Sequence, residues 1–546
     1  MALTKEAVEQ LFMDYDRAKG SRSNFEWFWQ EAAELIHPIE ATFIRHGYRG
    51  ENKRWRIFDG TGEQANQQLA AGLFSLLTNP SQPFFELSTD DKLLNDDYVV
   101  AKWLQEVTEI MNFEMQLPHT NFTAALNECY LEYGAFGNCQ LLITEHPEFS
   151  RSLFFQSLPL TETCFQENRA NIVNRVLRKY KRTAVDMVSE FGKNACPEEV
   201  LKAIEDKKGD AEFEILHVIR PVDEAAGFPA PHGFKKFEYL SVYVENKSKK
   251  VLRQTGYYER PFAVARFYKA SNETYGRGPG FAALSDVKML QEIYQTTLSG
   301  AQKRIDPPVM MPDDGFLSVL DTRPGAVNFY QSGIQERIEP LDTGSSPELG
   351  EELAAGVRKR IWDAFYISQL QLNIGPQMTA TEVMQRVEQQ MRMLGPLVGR
   401  LQTELLGPMI QRCFRILLRM GKFPEVPERL LNAGNVLKVI YTTPMARAQD
   451  QLQANNLTRV MQVLEPFLAM DPTMMDNFDK DEIAHGVGEV FSVTKRFYNS
   501  PNKRDAIRQE RSQQNQAMAE AQMLRDGGQG AANLATAAAT ASEIRQ

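Results

Sequence analysis

Residues 281–305 read FAALSDVKMLQEIYQTTLSGAQKRI, residues 345–367 read SSPELGEELAAGVRKRIWDAFYI, and residues 379–421 read TATEVMQRVEQQMRMLGPLVGRLQTELLGPMIQRCFRILLRMG. With the segments between them they give a helix, a short β-rich insert, a second helix, a loop and one very long helix. In the first helix Leu284, Val287, Leu290, Ile293, Tyr294, Thr297 and Leu298 recur at three and four residues, which predicts one buried stripe. The glycine-rich turn Tyr275-Gly276-Arg277-Gly278-Pro279-Gly280 precedes it, and Pro307-Pro308 forbids its continuation. In the insert, residues 306–342, the apolar runs Val309-Met311, Phe316-Leu320 and Ala326-Tyr330 are separated by Pro312-Asp313-Asp314-Gly315 and Arg323-Pro324-Gly325. These are turn signals between short strands or within a strand-helix unit.

Ser345-Ser346-Pro347-Glu348 opens the second helix, because serine caps free N–H groups, proline suits the first turn and glutamate complements the positive helix end. It is expected to reach about Ile367. The loop 368–378 holds Gln, Asn and apolar side chains and no charge. Thr379-Ala380-Thr381-Glu382 has capping-box spacing and starts the long helix, whose stripe runs through Val387, Met391, Leu394, Val398, Leu401, Leu405 and Met409. Unbroken to Gly421, it would span roughly 60 Å. Gly395-Pro396 and Gly407-Pro408 lie inside it, and each proline removes a backbone hydrogen bond, so a kink is expected at both places.

Upstream, residues 4–37 read as two amphipathic helices, the first capped by Thr4 and the second by Ser23 with Glu26. Phe25, Trp27, Phe28 and Trp29 are read as core or subunit-interface filling. A helix over residues 61–77 with Thr61 and Gln64 at capping-box spacing follows, then helices at about 96–115 and 121–133. Residues 139–269 alternate strand and turn signals: 139–143, 153–158, 163–166, 172–180, 213–219, 239–244, 251–258 and 262–267 as strands, with two short helices at 183–191 and 197–204. That predicts an antiparallel sheet with helices beside it. Downstream of Gly421 come a strand at 436–441, helices at 446–470, 479–498 and about 502–525, and a low-complexity Ala/Thr tail from 526 to 546 that is expected to be mobile.

The composition is that of a globular protein, 43% hydrophobic and 24% charged over 546 residues. No apolar run is long enough for a bilayer and no signal peptide stands at residues 1–5, which predicts synthesis in the cytoplasm. Cys129, Cys139, Cys164, Cys196 and Cys413 are odd in number and scattered, which favours buried thiols over disulfides or zinc. The net charge of −10 argues against a tight grip on DNA, although a conduit that passes DNA is compatible with it. No Walker loop, Rossmann fingerprint, HExxH or GxSxG occurs, and the seven histidines are far apart. The acid pairs Asp90-Asp91, Asp96-Asp97 and Asp313-Asp314 fall in turns. Catalysis, a metal and a cofactor are therefore not expected.

Five motifs narrow the reading: residues 54–61 (RWRIFDGT); Leu69-Ala70-Ala71-Gly72-Leu73 with residues 77–87 (LTNPSQPFFEL); 133–138 (YGAFGN); 273–278 (ETYGRG); and 378–383 (MTATEV). In this order they resemble the head-to-tail connector, or portal protein, family of short-tailed, podovirus-type tailed bacteriophages, over roughly residues 5–430. The resemblance implies an α+β, mostly helical portal fold: an α/β wing at 1–280, a first stem helix at 281–305, a small α/β clip at 306–343, and a second stem helix at 344–367. A channel (tunnel) loop at 368–378, a long kinked wing helix at 379–430 and a helical crown at 431–525 precede the tail.

It further implies a homo-dodecameric ring at one capsid vertex, through which double-stranded DNA is packaged and ejected without sequence specificity. The partners would be the terminase, tail adaptor proteins, the major capsid protein and the scaffolding protein, in the host cytoplasm during assembly and in the virion afterwards, with no membrane. On this reading Ser368, Gln369, Gln371, Asn373 and Gln377 face the DNA from the tunnel loop. Lys303, Arg304, Arg358, Lys359 and Arg360 contact phosphates on the stem, or else form intersubunit ion pairs or solvated faces. Asp313, Asp314, Phe316, Arg323, Phe329 and Tyr330 dock partners on the clip. A non-ring scaffold or ejection protein fits the long helix and Gln-rich tail, and an enzyme with a carboxylate site outside known motifs is the third reading; neither accounts for the ordered motifs.

Overall fold

The computed structural model describes residues 3–45, 51–80 apart from 52 and 55, 83–305 apart from 150, 232, 234 and 235, then 309–310, 339–340, 347–370, 395–433, 437–442, 503–518 and a few single positions between 460 and 499. The chain divides into two compact units: Met1–Phe84 with Met111–Lys422, and Phe85–Ile110 with Phe423–Gln546.

The first unit begins with a single helix, α1 (Lys5–Ile36), where two were expected. Thr4 caps it by accepting from Ala7 N at 3.2 Å, as expected. The second expected cap fails because its hydroxyl is consumed inside the helix. Ser23 Oγ donates back to Gly20 O at 2.7 Å, and Glu26 takes the Arg22 Nε–H at 2.8 Å instead of reaching the Ser23 backbone. Helix α2 (Thr61–Leu77) also starts differently: its side-chain bond comes from Asp59, whose Oδ1 accepts from Thr61 N at 2.7 Å, and Thr61 lies within the helix. Helix α3 (Lys92–Asp96) and most of α4 (Tyr98–Met115) belong to the second unit, and α5 (Phe122–Phe136) closes the N-terminal helical part of the first.

Strands β2 (Asn138–Glu145), β3 (Leu153–Ser157), β4 (Thr163–Glu167), β5 (Val173–Thr183), β6 (Glu212–Pro221), β7 (Tyr239–Glu245), β8 (Val251–Tyr257) and β9 (Phe262–Arg266) occur where the alternation placed strands. Five of them form an antiparallel meander, β4-β5-β6-β7-β8, and three form a second sheet, β3-β2-β9. One face of the meander, with Leu177, Leu216, Val218, Leu240, Val242 and Val244, packs on Ala7, Val8, Leu11 and Tyr15 of α1. The opposite face, with Tyr180, Ile215 and Leu252, packs on α6 (Ala184–Phe191) and α7 (Glu198–Glu205). Both faces are covered by helices, the α+β layering expected from the sequence. All five cysteines are buried free thiols.

Helix α8 (Pro279–Ile305) and helix α9 (Pro347–Ala364) match the two predicted helices. The predicted stripe on α8 is buried only through Gln291, because Leu298 is 52% exposed. Of the insert, Val309–Met310 (β10) pairs antiparallel with Glu339–Pro340 (β11), and its remaining residues, with their turns, lie outside the described residues. After α9, Tyr366 adopts a left-handed conformation (φ 59°), and Ile367–Leu370 forms a short helix, α10, so the expected loop begins as helix. The expected start of the long helix at Thr379 and its course to residue 394 lie outside the described residues; residues 395–401, from the upstream Gly-Pro pair onward, are helical. At the downstream pair the helix passes through a π turn, Gln402–Leu406, before α11 (Gly407–Arg419). The proline without an N–H sits where the ladder changes its spacing. Gly421, at φ 65°, ends it as predicted: Gly421 N donates to Leu418 O and Lys422 N to Leu417 O.

In the second unit, β1 (Phe85–Thr89) pairs antiparallel with β12 (Leu437–Tyr441), from Phe85↔Tyr441 to Thr89↔Leu437. Only β12 was legible as a strand. Asp91 caps α3 and Asp97 caps α4 through their Oδ1 atoms, the turn chemistry expected of the acid pairs. Trp103 Nε1 donates to Pro424 O at 3.2 Å, and α12 (Glu428–Ala433) is tied to Asp97 through Arg429. Residues 503–518 are helical, as expected, and almost wholly exposed. The expected helices at 446–470 and 479–498 and the tail fall outside the described residues or show only isolated helical positions.

Candidate functional site

Helices α8 and α9 form an antiparallel hairpin held by specific contacts at both ends. At one end Tyr294 Oη donates to Glu351 at 3.2 Å. A Cβ on Gly350 would lie 2.2 Å from Thr297 Oγ1, so glycine is what lets the helices come this close. At the other end Arg360 pairs with Asp286 at 3.0 Å and its guanidinium also reaches Met289.

The hairpin is fixed to the N-terminal region through Asp59, in the first of the five motifs. Arg358 Nη2 donates to Asp59 Oδ2 at 3.0 Å and Nη1 to Glu351 at 2.9 Å. Gln291 of α8 brackets the same residue: its Oε1 accepts from Phe58 N (2.7 Å) and Asp59 N (3.0 Å), and its Nε2 donates to Asp59 O (2.9 Å). Asp59, buried at 9% exposure, therefore joins α2, α8 and α9. The motif was visible in the sequence, but its partners lie hundreds of residues away and no local signal pointed to them.

Where α8 begins, two more motifs interlock. A Cβ on Gly276 would meet Gly137 O at 2.7 Å, one on Gly278 would meet Gly137 N and Tyr133 O at 2.8 Å, and one on Gly280 would meet Ala135 O at 2.2 Å. The three glycines thus allow one backbone to lie directly on another, beyond the tight turn predicted for them. Beside them Phe25 stacks on Trp29 (5.6 Å) and contacts Tyr275 (5.6 Å), Trp29 Nε1 donates to Phe136 O (3.2 Å), and Phe28 meets Phe281 at 4.3 Å. Trp29 fills the core, Phe25 and Phe28 are half-buried, and Trp27 is 71% exposed.

The long helix is anchored at its π turn. Glu404 accepts from the Arg266 backbone N–H (2.9 Å) and from Arg266 Nη2 (2.8 Å), while Arg266 Nη1 donates to Glu167 (2.7 Å). Arg266 is 1% exposed, so its charge is compensated entirely by these neighbours.

Among the expected site residues, Arg358 and Arg360 are engaged as described, whereas Lys303, Arg304 and Lys359 are exposed on the hairpin. Ser368 Oγ donates to Asp363 Oδ1 at 2.6 Å, and Gln369 lies in α10. Gln371, Asn373 and Gln377 of the loop, and Asp313, Asp314, Phe316, Arg323, Phe329 and Tyr330 of the insert, lie outside the described residues. Among the described residues no group of His, Cys, Asp and Glu could hold a metal ion, and no helix is long and apolar enough to cross a membrane.

Comparison with known proteins supports the family resemblance. A probable portal protein of Bordetella phage BPP-1 is 28% identical over 537 residues, covering 96% of this chain and 94% of its own length. The portal protein of Salmonella phage epsilon15 is 28% identical over 539 residues, covering 96% and 95%. A solved chain from the virion of a native gene transfer agent particle covers 73% of this chain and 85% of its own, at 12% identity and a TM-score of 0.32, and carries no argument. The profile of the bacteriophage head to tail connecting proteins matches residues 8–498, and the chain belongs to that family.

Proposed function

We propose that this chain is a phage portal protein: a ring, dodecameric as in the resemblance, at one capsid vertex, through which double-stranded DNA enters during packaging and leaves at ejection. The observation that carries the reading is the family match across nearly the whole chain, with relatives that align end to end. The α8–α9 hairpin supplies the stem.

In this arrangement the insert 306–343 is the clip, docking the terminase motor and later the tail adaptors. The uncharged loop with Gln371, Asn373 and Gln377 lines the tunnel beside Ser368 and Gln369, touching DNA without an ionic grip that would stall it. Arg304, exposed on the last turn of α8, contacts phosphate. Arg358 and Arg360 are committed to Asp59, Glu351 and Asp286, so they hold the stem together. Residues 431–525 form the crown. The protein is a conduit and docking platform without catalysis of its own; ATP hydrolysis belongs to the motor.

The test is to label virions with antibody against this chain and to assemble shells without it. Label at a single vertex and DNA-free shells are expected. Label spread over many vertices, or full shells lacking the chain, would contradict the proposal.

A further inference from the structure

Each helix of the α8–α9 hairpin turns a charged stripe away from its partner. The α9-facing side of α8 carries Asp286, Met289, Tyr294 and Thr297, and the α8-facing side of α9 carries Gly350, Glu351 and Arg360. At 3.6 residues per turn the side of α8 roughly opposite those contacts carries Lys288, Glu292, Gln295, Ser299 and Lys303. The corresponding outer side of α9 carries Glu348, Glu352, Ala355, Lys359 and Asp363. All ten are exposed.

The two stripes are complementary. Set antiparallel, they bring Glu348 to Lys303, Glu352 to Ser299, Ala355 to Gln295, Lys359 to Glu292 and Asp363 to Lys288. Three opposite charges meet and no like charges do. The separations fit as well: Glu348, Lys359 and Asp363 are spaced by eleven and four residues, as are Lys303, Glu292 and Lys288. A parallel setting would put Glu352 against Glu292. Within one chain the stripes cannot meet, because they lie on opposite outer sides of the hairpin. Among the described residues Glu292, Lys303, Glu348 and Lys359 have no ion-pair partner, while Lys288 reaches Glu31 at 2.6 Å and Asp363 accepts from Ser368.

We infer that the outer stripe of α9 docks on the outer stripe of α8 of a second copy of this chain, each copy using both stripes. This rests on the ring reading, which also dictates the orientation. Copies related by rotation about one axis keep all their α8 helices pointing the same way, so α9 of one copy must run antiparallel to α8 of the next. The contact is heterologous, and such a contact closes into a ring when the rotation permits. Exposed ion pairs are individually weak and salt-screened, so their main effect is on register and partner choice. Ala355, flanked by Gly356, lets the helices approach at the centre of the stripe, opposite Gln295 and Ser299. Lys303 and Lys359 are thereby assigned to the neighbouring subunit and not to phosphate.

The test is a charge swap that leaves net charge unchanged, at positions without intrachain partners. One variant carries Glu348→Lys with Lys359→Glu on α9; a second carries Glu292→Lys with Lys303→Glu on α8; a third combines all four. Native mass spectrometry counts subunits, and circular dichroism checks that each variant keeps wild-type helicity and melting temperature. Each single-helix swap should lower the ring fraction by more than roughly tenfold at low salt, and the combined variant should restore it. Rings that persist in both swaps, or a combined variant that stays unassembled, would overturn the pairing while leaving the ring reading intact. A wild-type chain that forms a stable small oligomer and no ring would remove that reading, and the pairing with it.

Discussion

The side-chain amide of Asn138 grips the peptide of Gly276 from both sides: Nδ2 donates to Gly276 O at 3.0 Å and Oδ1 accepts from Gly276 N at 2.7 Å. The side chain thus imitates a strand partner for a backbone that has none, and it joins the start of β2 to the turn that launches α8. Both groups are buried, and neither peptide atom can turn to water. Asn138→Ala should cost about 2–4 kcal/mol in urea unfolding, since it strands a buried donor and acceptor together. A loss below 1 kcal/mol would mean that the turn finds other partners.

Gly280→Ala tests the same junction by volume. Its Cβ would be placed 2.2 Å from Ala135 O, a backbone atom that cannot swing aside. A destabilisation of about 1–3 kcal/mol or more is expected. The control is Gly20→Ala in α1, where nothing lies within 4 Å of the new Cβ. Because α1 is continuous there, this change should stabilise by about 0.5–1 kcal/mol. A loss of stability would restore the two-helix reading of residues 4–37.

The Glu404–Arg266 pair should be the costly one to break. Glu404→Gln leaves the buried guanidinium with Glu167 as its remaining carboxylate and weakens the tie between β9 and the π turn. About 3 kcal/mol of destabilisation is expected by denaturant titration, with hydrogen exchange rising across residues 395–406. Unchanged exchange there would show that packing by Leu401, Leu405 and Met409 suffices.

Two buried groups give stability opposite pH dependences. His217 stacks on Tyr243 at 3.9 Å and bonds Ser241 Oγ at 2.9 Å. Burial, then Arg178 and Arg253, pull its pKa from 6.5 down to about 3. Between those values the unfolded chain binds the extra proton, so stability falls as pH drops from 6.5 toward 3. His217→Phe keeps the stack and should flatten that slope in melting scans. Glu132 is raised well above the usual carboxylate range, by burial first and then by Glu40. Its contribution is complete below the unfolded value of 4.5 and is lost as pH rises through the raised one. Glu132→Gln should therefore gain stability relative to the wild type as pH increases. A variant that tracks the wild type throughout would show that Glu132 ionises without penalty.

What could be read from the sequence was local. Strands β2 to β9 alternate, α8 is bounded by glycine and proline, and α11 ends at Gly421; each signal lies within the element it defines. The misreadings were competitions the chain alone does not display. Ser23 had two acceptable bonds, one capping and one inside a helix. Thr61 had cap spacing, but Asp59, two residues upstream, accepts from the Thr61 N–H, and Thr61 lies inside the helix. Beyond these, β1 is visible only through its pairing with β12, some 350 residues away, and nothing near Arg358 in the sequence pointed to Asp59 as its partner. The α8 stripe read as one buried face, yet it is buried only through Gln291, and a monomer's sequence does not say where its own cover stops.

The central claim is a closed ring with a hole along its axis. Native mass spectrometry of the purified chain, with negative-stain images of the same sample, tests it most directly. The account predicts one dominant closed assembly, dodecameric or close to it, with a stain-filled centre. A stable dimer or tetramer without a hole would contradict it.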